Sequence, residues 1–178
     1  MKRPPIYGMM AEFDSPTALV AAAHRTQQAG YQKIDAYSPF PVEGLAEAIG
    51  FHRNAVPLVV LIGGLIGGLS GYLMQYWISA VSYPINVGGK PYHSWPAFIV
   101  VTFEMTILFA GLSAVFGMLA LNGLPMPYHP VFNAPRFAFA TKDRFFLIIF
   151  SSDTKYSAAE TRRFLESLGP RSISEVPS

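Results

Sequence analysis

The sequence predicts an α+β membrane protein, with a two-helix transmembrane hairpin inserted between the βαβ halves of a ferredoxin-like cytoplasmic domain. Three observations lead to this fold class. Between Arg53 and Arg136 only two residues are charged. That interval contains two apolar runs, Ala55–Ser82 and Trp95–Leu121, each longer than the roughly 20 residues that a helix needs to cross a bilayer. On both sides of the interval the chain is polar and alternates between strand-like and helix-like patterns.

The amino-terminal part predicts a first βαβ half. Ile6–Phe13 is apolar and ends before Ser15, which suits a helix N-cap, followed by Pro16 at the first helical position. The predicted helix continues to Gly30, a residue typical of the position just after a helix. Lys33–Tyr37 then predicts a second strand.

The carboxy-terminal part repeats this order. Phe145–Ser151 predicts a buried strand, Ser157–Leu168 a helix, and Ser172–Val176 a short final strand. Two split βαβ units make a ferredoxin-like sandwich, and here the hairpin replaces the short connection between the second and third strands. The alternative is that the two halves pack separately on other subunits.

Two connecting segments complete the organisation. In Pro39–Gly50 apolar residues recur at helical spacing, which suits either an amphipathic helix at the membrane surface or a helix packed on the soluble domain. Asn122–Pro135 has four prolines and predicts an extended strap. The predicted segments are residues 1–38 (first βαβ half), 39–54 (interfacial connector), 55–82 (first transmembrane helix), 83–94 (external loop), 95–121 (second transmembrane helix) and 122–178 (strap and second βαβ half).

The distribution of basic residues predicts the orientation. The link between the spans contains only Lys90. The basic residues on the flanks are Lys33, Arg53, Arg136, Lys142 and Arg144. Because basic residues near span ends favour the cytoplasm, we expect both termini to be cytoplasmic. The start of the chain has no apolar core of signal-peptide length, which agrees with a cytoplasmic amino terminus.

Composition argues against several classes of site. There are no cysteines, which excludes thiolate-ligated iron–sulfur clusters and c-type haem attachment in this chain. The four histidines are His24, His52, His93 and His129, and none lies within an apolar span. The net charge of +2 gives no argument for nucleic acid. We therefore expect no catalytic residue, cofactor or metal here. Three aspartates near strand ends suit turn and capping roles: Asp35, Asp143 and Asp153.

Glu104 is the most informative polar residue. Counted from Pro96, it lies about 12 Å into the second span at 1.5 Å per residue. A carboxylate at that depth should be protonated, paired or beside a wet cavity. One hypothesis is proton transfer or a polar interface. The other is a neutral carboxyl that hydrogen-bonds within the hairpin, where Gln75 and Tyr76 of the first span lie at matching depth.

Small residues predict close helix packing. The first span contains overlapping small-xxx-small pairs formed by Gly63, Gly64, Gly67, Gly68 and Gly71. Such pairs let helix backbones approach closely. They could serve the second span, a neighbouring subunit, or both.

Several stretches together resemble the ActD family, a family of subunits of alternative complex III, which is a bacterial membrane quinol:acceptor oxidoreductase. They are IYGMMAEF, YSPFPV, PAFIVVTFEMTILFAGL, NGLPMPYHPVF and TKDRFFLIIFSSD. Glu104 matches the glutamate in the T-F-E-x-T run of that family. Glu43 is a departure, since histidine is expected there. The resemblance covers nearly the whole chain.

The resemblance implies a role within an assembly of respiratory or photosynthetic electron transport. Such a complex oxidises quinol and passes electrons through iron–sulfur clusters and c-type haems in other subunits, and polytopic subunits bind the quinol. A member of the ActD family is implied to be a cofactor-free accessory in the bacterial inner membrane, not catalytic alone. Two rival hypotheses are proton transfer through Glu104 and a stand-alone two-span membrane sensor whose ferredoxin-like domain binds a ligand.

Overall fold

The computed structural model describes residues 6–51 and 54–178 and divides into two compact units. The four-stranded unit combines the described residues up to 51 with residues 127–178, and the hairpin unit comprises residues 54–126. The first five residues of the predicted first half lie outside the described residues. So do His52 and Arg53 of the predicted connector.

Residues 6–51 and 54–178 form four strands and five α-helices. The strands are β1 (Ile6–Phe13), β2 (Ile34–Tyr37), β3 (Phe145–Phe150) and β4 (Ser172–Pro177). The helices are α1 (Pro16–Gln28), α2 (Leu45–Ala48), α3 (Val56–Tyr76), α4 (Trp95–Leu121) and α5 (Ala158–Ser167). The predicted elements are therefore present, with ends that differ by one or two residues.

The four strands form one antiparallel sheet in the order β2-β3-β1-β4. The central strands β1 and β3 pair with Met10 opposite Ile148, and β4 pairs with β1 with Ser174 opposite Met10. The two strands of each βαβ half are therefore separated by a strand from the other half. The amino- and carboxy-terminal halves form a single sheet and do not fold separately.

Local signals explain the ends of α1. The Ser15 side chain accepts a hydrogen bond from the Ala18 N–H at 3.2 Å, and Pro16 is the first helical residue. After the helix Gly30 has a φ of +91°, a conformation that glycine adopts without strain.

Both faces of the sheet are covered. Alternate side chains of β1, such as Met9 and Met10, point to opposite faces. The face with Met9 packs against α1, α2 and α5, where Leu19, Leu45 and Leu165 are buried. Leu45 and Ala48 of α2 lie in this core, so these side chains pack within the four-stranded unit.

The other face of the sheet is covered by residues 127–144, which contain most of the predicted strap and are called the strap from here on. Two 3₁₀ turns, Pro130–Asn133 and Phe137–Thr141, bury Val131 and Phe137 against the side of the sheet that contains Met10. The strap is thus not simply extended, as its prolines had suggested. Because both faces are covered, β3 can be apolar at every position.

The hairpin unit consists of α3 and α4. The last turns of the first helix are π-helical over Trp77–Ser82, so the continuous helix covers Val56–Ser82. By length and composition, this helix and α4 could each cross a membrane.

Candidate functional site

The contact between α3 and α4 is built on glycines. Gly63, Gly64, Gly67 and Gly71 are buried there. A Cβ at Gly67 would collide with the Met105 carbonyl and lie 2.6 Å from the Phe109 Cβ. A Cβ at Gly71 would lie 2.9 Å from the Met105 Cβ. Side chains at these positions would push the helices apart, so the glycines set the helix separation.

Gly68 lies at the margin of the same contact. It is partly exposed, and a Cβ there would lie 2.7 Å from the Thr106 Oγ1. A shallow apolar groove of about 560 Å³ runs beside Gly64 and Gly68 and is lined by side chains that include Leu61 and Leu65. All five predicted glycines therefore lie on the side of α3 that faces α4.

Gln75 connects the two helices by hydrogen bonds. Its Nε2 donates to the carbonyl oxygens of Phe98 and Gly71 at 3.0 and 3.1 Å. The Thr102 Oγ1 lies 3.4 Å from the same nitrogen. These acceptors belong to the hairpin itself, so the amide of Gln75 is already engaged.

Tyr76 packs on the link between the helices. Its ring meets that of His93 edge to face, with centroids 5.2 Å apart. His93 also lies within hydrogen-bond distance of Tyr72, with 2.5 Å between Nε2 and the hydroxyl oxygen. Together these aromatic contacts fix the end of the hairpin at which α4 begins.

Glu104 points away from both predicted partners. Its side chain is exposed, and no hydrogen bond or ion pair joins it to another residue in the described part of the chain. Thr102 and Thr106 face α3. Residues two positions apart lie on nearly opposite sides of a helix, so Glu104 faces outward. The expected hydrogen bond to Gln75 or Tyr76 is therefore absent from the hairpin.

A buried carboxylate that sequence reasoning had missed lies in the four-stranded unit. Glu12 of β1 is 2% exposed and accepts two hydrogen bonds from Arg136, each of 3.0 Å. Ser172 Oγ donates a third at 2.8 Å, and the Nε of Arg144 lies 3.7 Å away. The only signal in the sequence was an acidic residue inside an otherwise apolar strand.

The surroundings of Glu12 favour its ionised form. Burial raises the pKa of its carboxyl group. Hydrogen bonds from Arg136 and Ser172, with the charges of Arg136 and Arg144, outweigh burial and lower the pKa below its ordinary value. Arg136 has a φ of +68°, unusual for a residue with a side chain, and its guanidinium group forms a bidentate pair with Glu12. This ion pair attaches the strap to β1.

The three aspartates near strand ends differ in their contacts, and only Asp153 binds several backbone N–H groups. Asp153 accepts hydrogen bonds from the backbone N–H groups of Gln32, Lys33 and Lys155 at 2.7, 2.7 and 2.8 Å. Burial raises the pKa of Asp153, but these bonds outweigh it and lower the pKa overall. Asp35 accepts from the Ala36 N–H at 2.8 Å. Asp143 lies 3.7 Å from the Nε of Arg144.

An open groove of about 790 Å³ lies between β2 and the strap. Its lining includes Asp35, Tyr37 and His129. His129 lies 3.3 Å from the hydroxyl of Tyr7, and burial together with the charge of Asp35 raises the pKa of both Tyr7 and Tyr37. Both phenols are protonated at neutral pH, and the Tyr37 hydroxyl hydrogen-bonds to the Asp35 carboxylate. Over residues 6–51 and 54–178, no three metal-ligating side chains come together.

The family of the chain is shown by a match that extends over nearly its whole length. The family model described as the ActD subunit of alternative complex III matches residues 7–175. The chain belongs to this family. The match begins in β1, includes the hairpin and ends in β4, so it covers Glu12, the glycine contact and Glu104.

Membership of the ActD family makes the chain a subunit of alternative complex III. Membership in the complex and the two long apolar helices together suggest membrane association. No curated protein matches the sequence of the chain.

Proposed function

We propose that this ActD-family chain is a cofactor-free accessory subunit that supports the assembly of alternative complex III. In this proposal its hairpin packs in the membrane beside a polytopic quinol-binding subunit, and its four-stranded unit lies on the cytoplasmic face of that subunit. The iron–sulfur clusters and c-type haems belong to the partner subunits.

One observation carries this proposal. The hairpin helices meet through glycines, so their large apolar side chains remain on the outside, as at Leu65, Leu69 and Leu108. Surfaces of this kind are stable only against lipid or another apolar protein surface. A subunit that packs beside a larger membrane protein satisfies this requirement.

The proposed fold of the four-stranded unit is ferredoxin-like. Support comes from the β-α-β, β-α-β order along the chain, the antiparallel sheet, and the separation of each half's strands by a strand of the other half. The name refers to the arrangement of elements alone, because the chain has no cysteine with which to hold a cluster.

Co-purification tests the proposed function. An affinity tag on this chain should recover the other complex subunits from mild detergent, with haem absorbance in the visible and iron–sulfur signals in electron paramagnetic resonance. Deletion of the chain should lower the yield of assembled complex. Recovery of the chain alone, without haem, contradicts the accessory role and favours the stand-alone sensor, for which the groove near Tyr37 is the natural ligand site.

Proton transfer through Glu104 is the second candidate. Its supporting observation is that the carboxyl group is exposed on α4. Glutamine keeps the size and hydrogen-bonding ability of glutamate but does not titrate. For the accessory role we expect Glu104→Gln to preserve assembly and most quinol:acceptor turnover. Full assembly with lost turnover or proton release in reconstituted membranes would favour the relay.

A further inference from the structure

One side of α4 is left without contacts inside the hairpin. Residues spaced three or four positions apart share a helix face. Val100, Glu104, Leu108, Gly111 and Val115 follow this spacing, and all five are exposed. We call this set the outward stripe of α4. It lies on the side opposite Thr102 and Thr106, which contact α3.

The outward stripe presents a carboxyl group in an otherwise apolar surface. A polar group in hydrocarbon is costly unless something satisfies its hydrogen bonds. Gln75 and Tyr76 do not reach it, because they are engaged at the inner side of the hairpin. Any partner of Glu104 in the membrane therefore has to come from outside the hairpin.

Gly111 makes the same surface accessible to a neighbouring helix. A Cβ at Gly111 would meet no atom within 4 Å, unlike one at Gly67, which would collide with α4. Gly111 follows Glu104 by seven residues, so it lies about 10 Å further along the same stripe. An outward glycine lets a second backbone approach α4 closely, and such a helix would then run past Glu104.

We propose that the outward stripe docks a transmembrane helix of a different subunit, which presents a hydrogen-bond donor to Glu104. The inference rests on the proposed accessory function and specifies the chemistry of the partner. The carboxyl oxygens of Glu104 accept hydrogen bonds, so a partner helix that presents a donor such as an arginine, lysine, histidine or hydroxyl group matches this position. A second copy of this chain, packed stripe to stripe, would bring only another carboxyl group to Glu104, which offers fewer donors.

Substitutions on the stripe test the proposal in the assembled complex. Glu104→Leu should lower the fraction of this subunit that stays with the complex by about five-fold or more, since the donor on the partner loses its acceptor. Glu104→Gln retains a carbonyl acceptor and should restore most of that fraction. Gly111→Leu should also lower it by blocking the approach. Phe103→Leu, on the same helix but off the stripe, is the matched control and should have no effect.

A fold check accompanies these variants. The two tryptophans of the chain, Trp77 and Trp95, both lie in the hairpin. An unchanged fluorescence spectrum for Gly111→Leu shows that the hairpin is intact and that the loss lies in docking. Retention of Glu104→Leu and Gly111→Leu at the wild-type level overturns the inference, while wild-type co-purification still supports the accessory function.

Photo-crosslinking identifies the molecule that lies against the outward stripe. A benzophenone side chain at Leu108 or Val115 should form an adduct with another subunit of the complex. The same group at Phe116, off the stripe, should give much less of that adduct. Adducts with lipid alone, or with a second copy of this chain, overturn the proposal. Failure of the wild-type chain to recover any partner is a separate result that counts against the accessory function itself.

Discussion

At the scale of single residues, Glu12 connects three separate parts of the sequence. It lies in β1 and bonds to Arg136 of the strap and to Ser172 of β4. Arg136 adopts its left-handed backbone conformation at the point where it reaches Glu12. The ion pair therefore joins the strap to β1 at the residue where the strap backbone is left-handed.

Glu12→Gln should destabilise the four-stranded unit by about 2 kcal/mol at neutral pH, the scale of lost hydrogen bonds to a charged group. The folded pKa of Glu12 lies below its unfolded value of about 4.3. Its contribution is thus present above that pH and lost as the pH falls through the folded pKa. Urea unfolding in detergent, followed by circular dichroism, should show the difference between wild type and variant shrinking in acid. Glu175→Gln is the control, because its 3.5 Å pair with Arg162 is exposed.

Asp153→Ala should also destabilise this unit, by about 2–3 kcal/mol, because three backbone N–H groups lose their acceptor. The exposed aspartate Asp143 provides a matched control, and Asp143→Ala should change stability by less than about 0.5 kcal/mol. Hydrogen exchange at Gln32 and Lys33 is the most direct measurement. Unchanged protection of these amides in Asp153→Ala contradicts the capping role.

At the scale of elements, the hairpin contains several glycines that face the contact between α3 and α4 and one, Gly111, that faces outward. Gly67→Leu should separate α3 from α4, since even a Cβ there collides with the Met105 carbonyl. Gly111→Leu should leave the contact intact because the space around it is open. Thermal denaturation followed by tryptophan fluorescence should show a lower midpoint for Gly67→Leu alone. Equal midpoints for the two variants would contradict the glycine contact.

Local signals in the sequence predict most helices and strands but not which side of a helix faces its neighbour. The Ser15-Pro16 start and the Gly30 end of α1 were predictable, since each depends on adjacent residues. The outward direction of Glu104 was missed because matching depth in a hairpin does not fix rotation about the helix axis. Thr102 and Thr106 lie two residues before and two residues after Glu104, and both contact α3. Their positions place Glu104 on the opposite side of α4.

At the scale of the whole molecule, one sheet is assembled from the two ends of the chain. The βαβ pattern predicts the strand order only if the strands of the two halves alternate in one sheet. The hydrophobic pattern of the sequence is equally compatible with two halves that pack independently. The contact that closes the sheet, β1 with β3, joins residues far apart in sequence, such as Met10 and Ile148. Long-range pairing of this kind has no local signal, so the strap's path over the second face and the Glu12–Arg136 pair were not predictable either.

The sheet shared by the two halves restricts the membrane topology of the chain. In the proposed two-span topology, the pairing of β1 with β3 requires the segments before α3 and after α4 to lie on the same side of the membrane. The basic residues Arg136, Lys142 and Arg144 favour the cytoplasm for that side. A reporter fused after Ser178 should therefore be cytoplasmic, and one inserted at Gly88 in the link between the helices should be external. Both reporters on one side would contradict the two-span hairpin, whereas an external carboxyl terminus with a cytoplasmic link would preserve the hairpin and reverse the orientation.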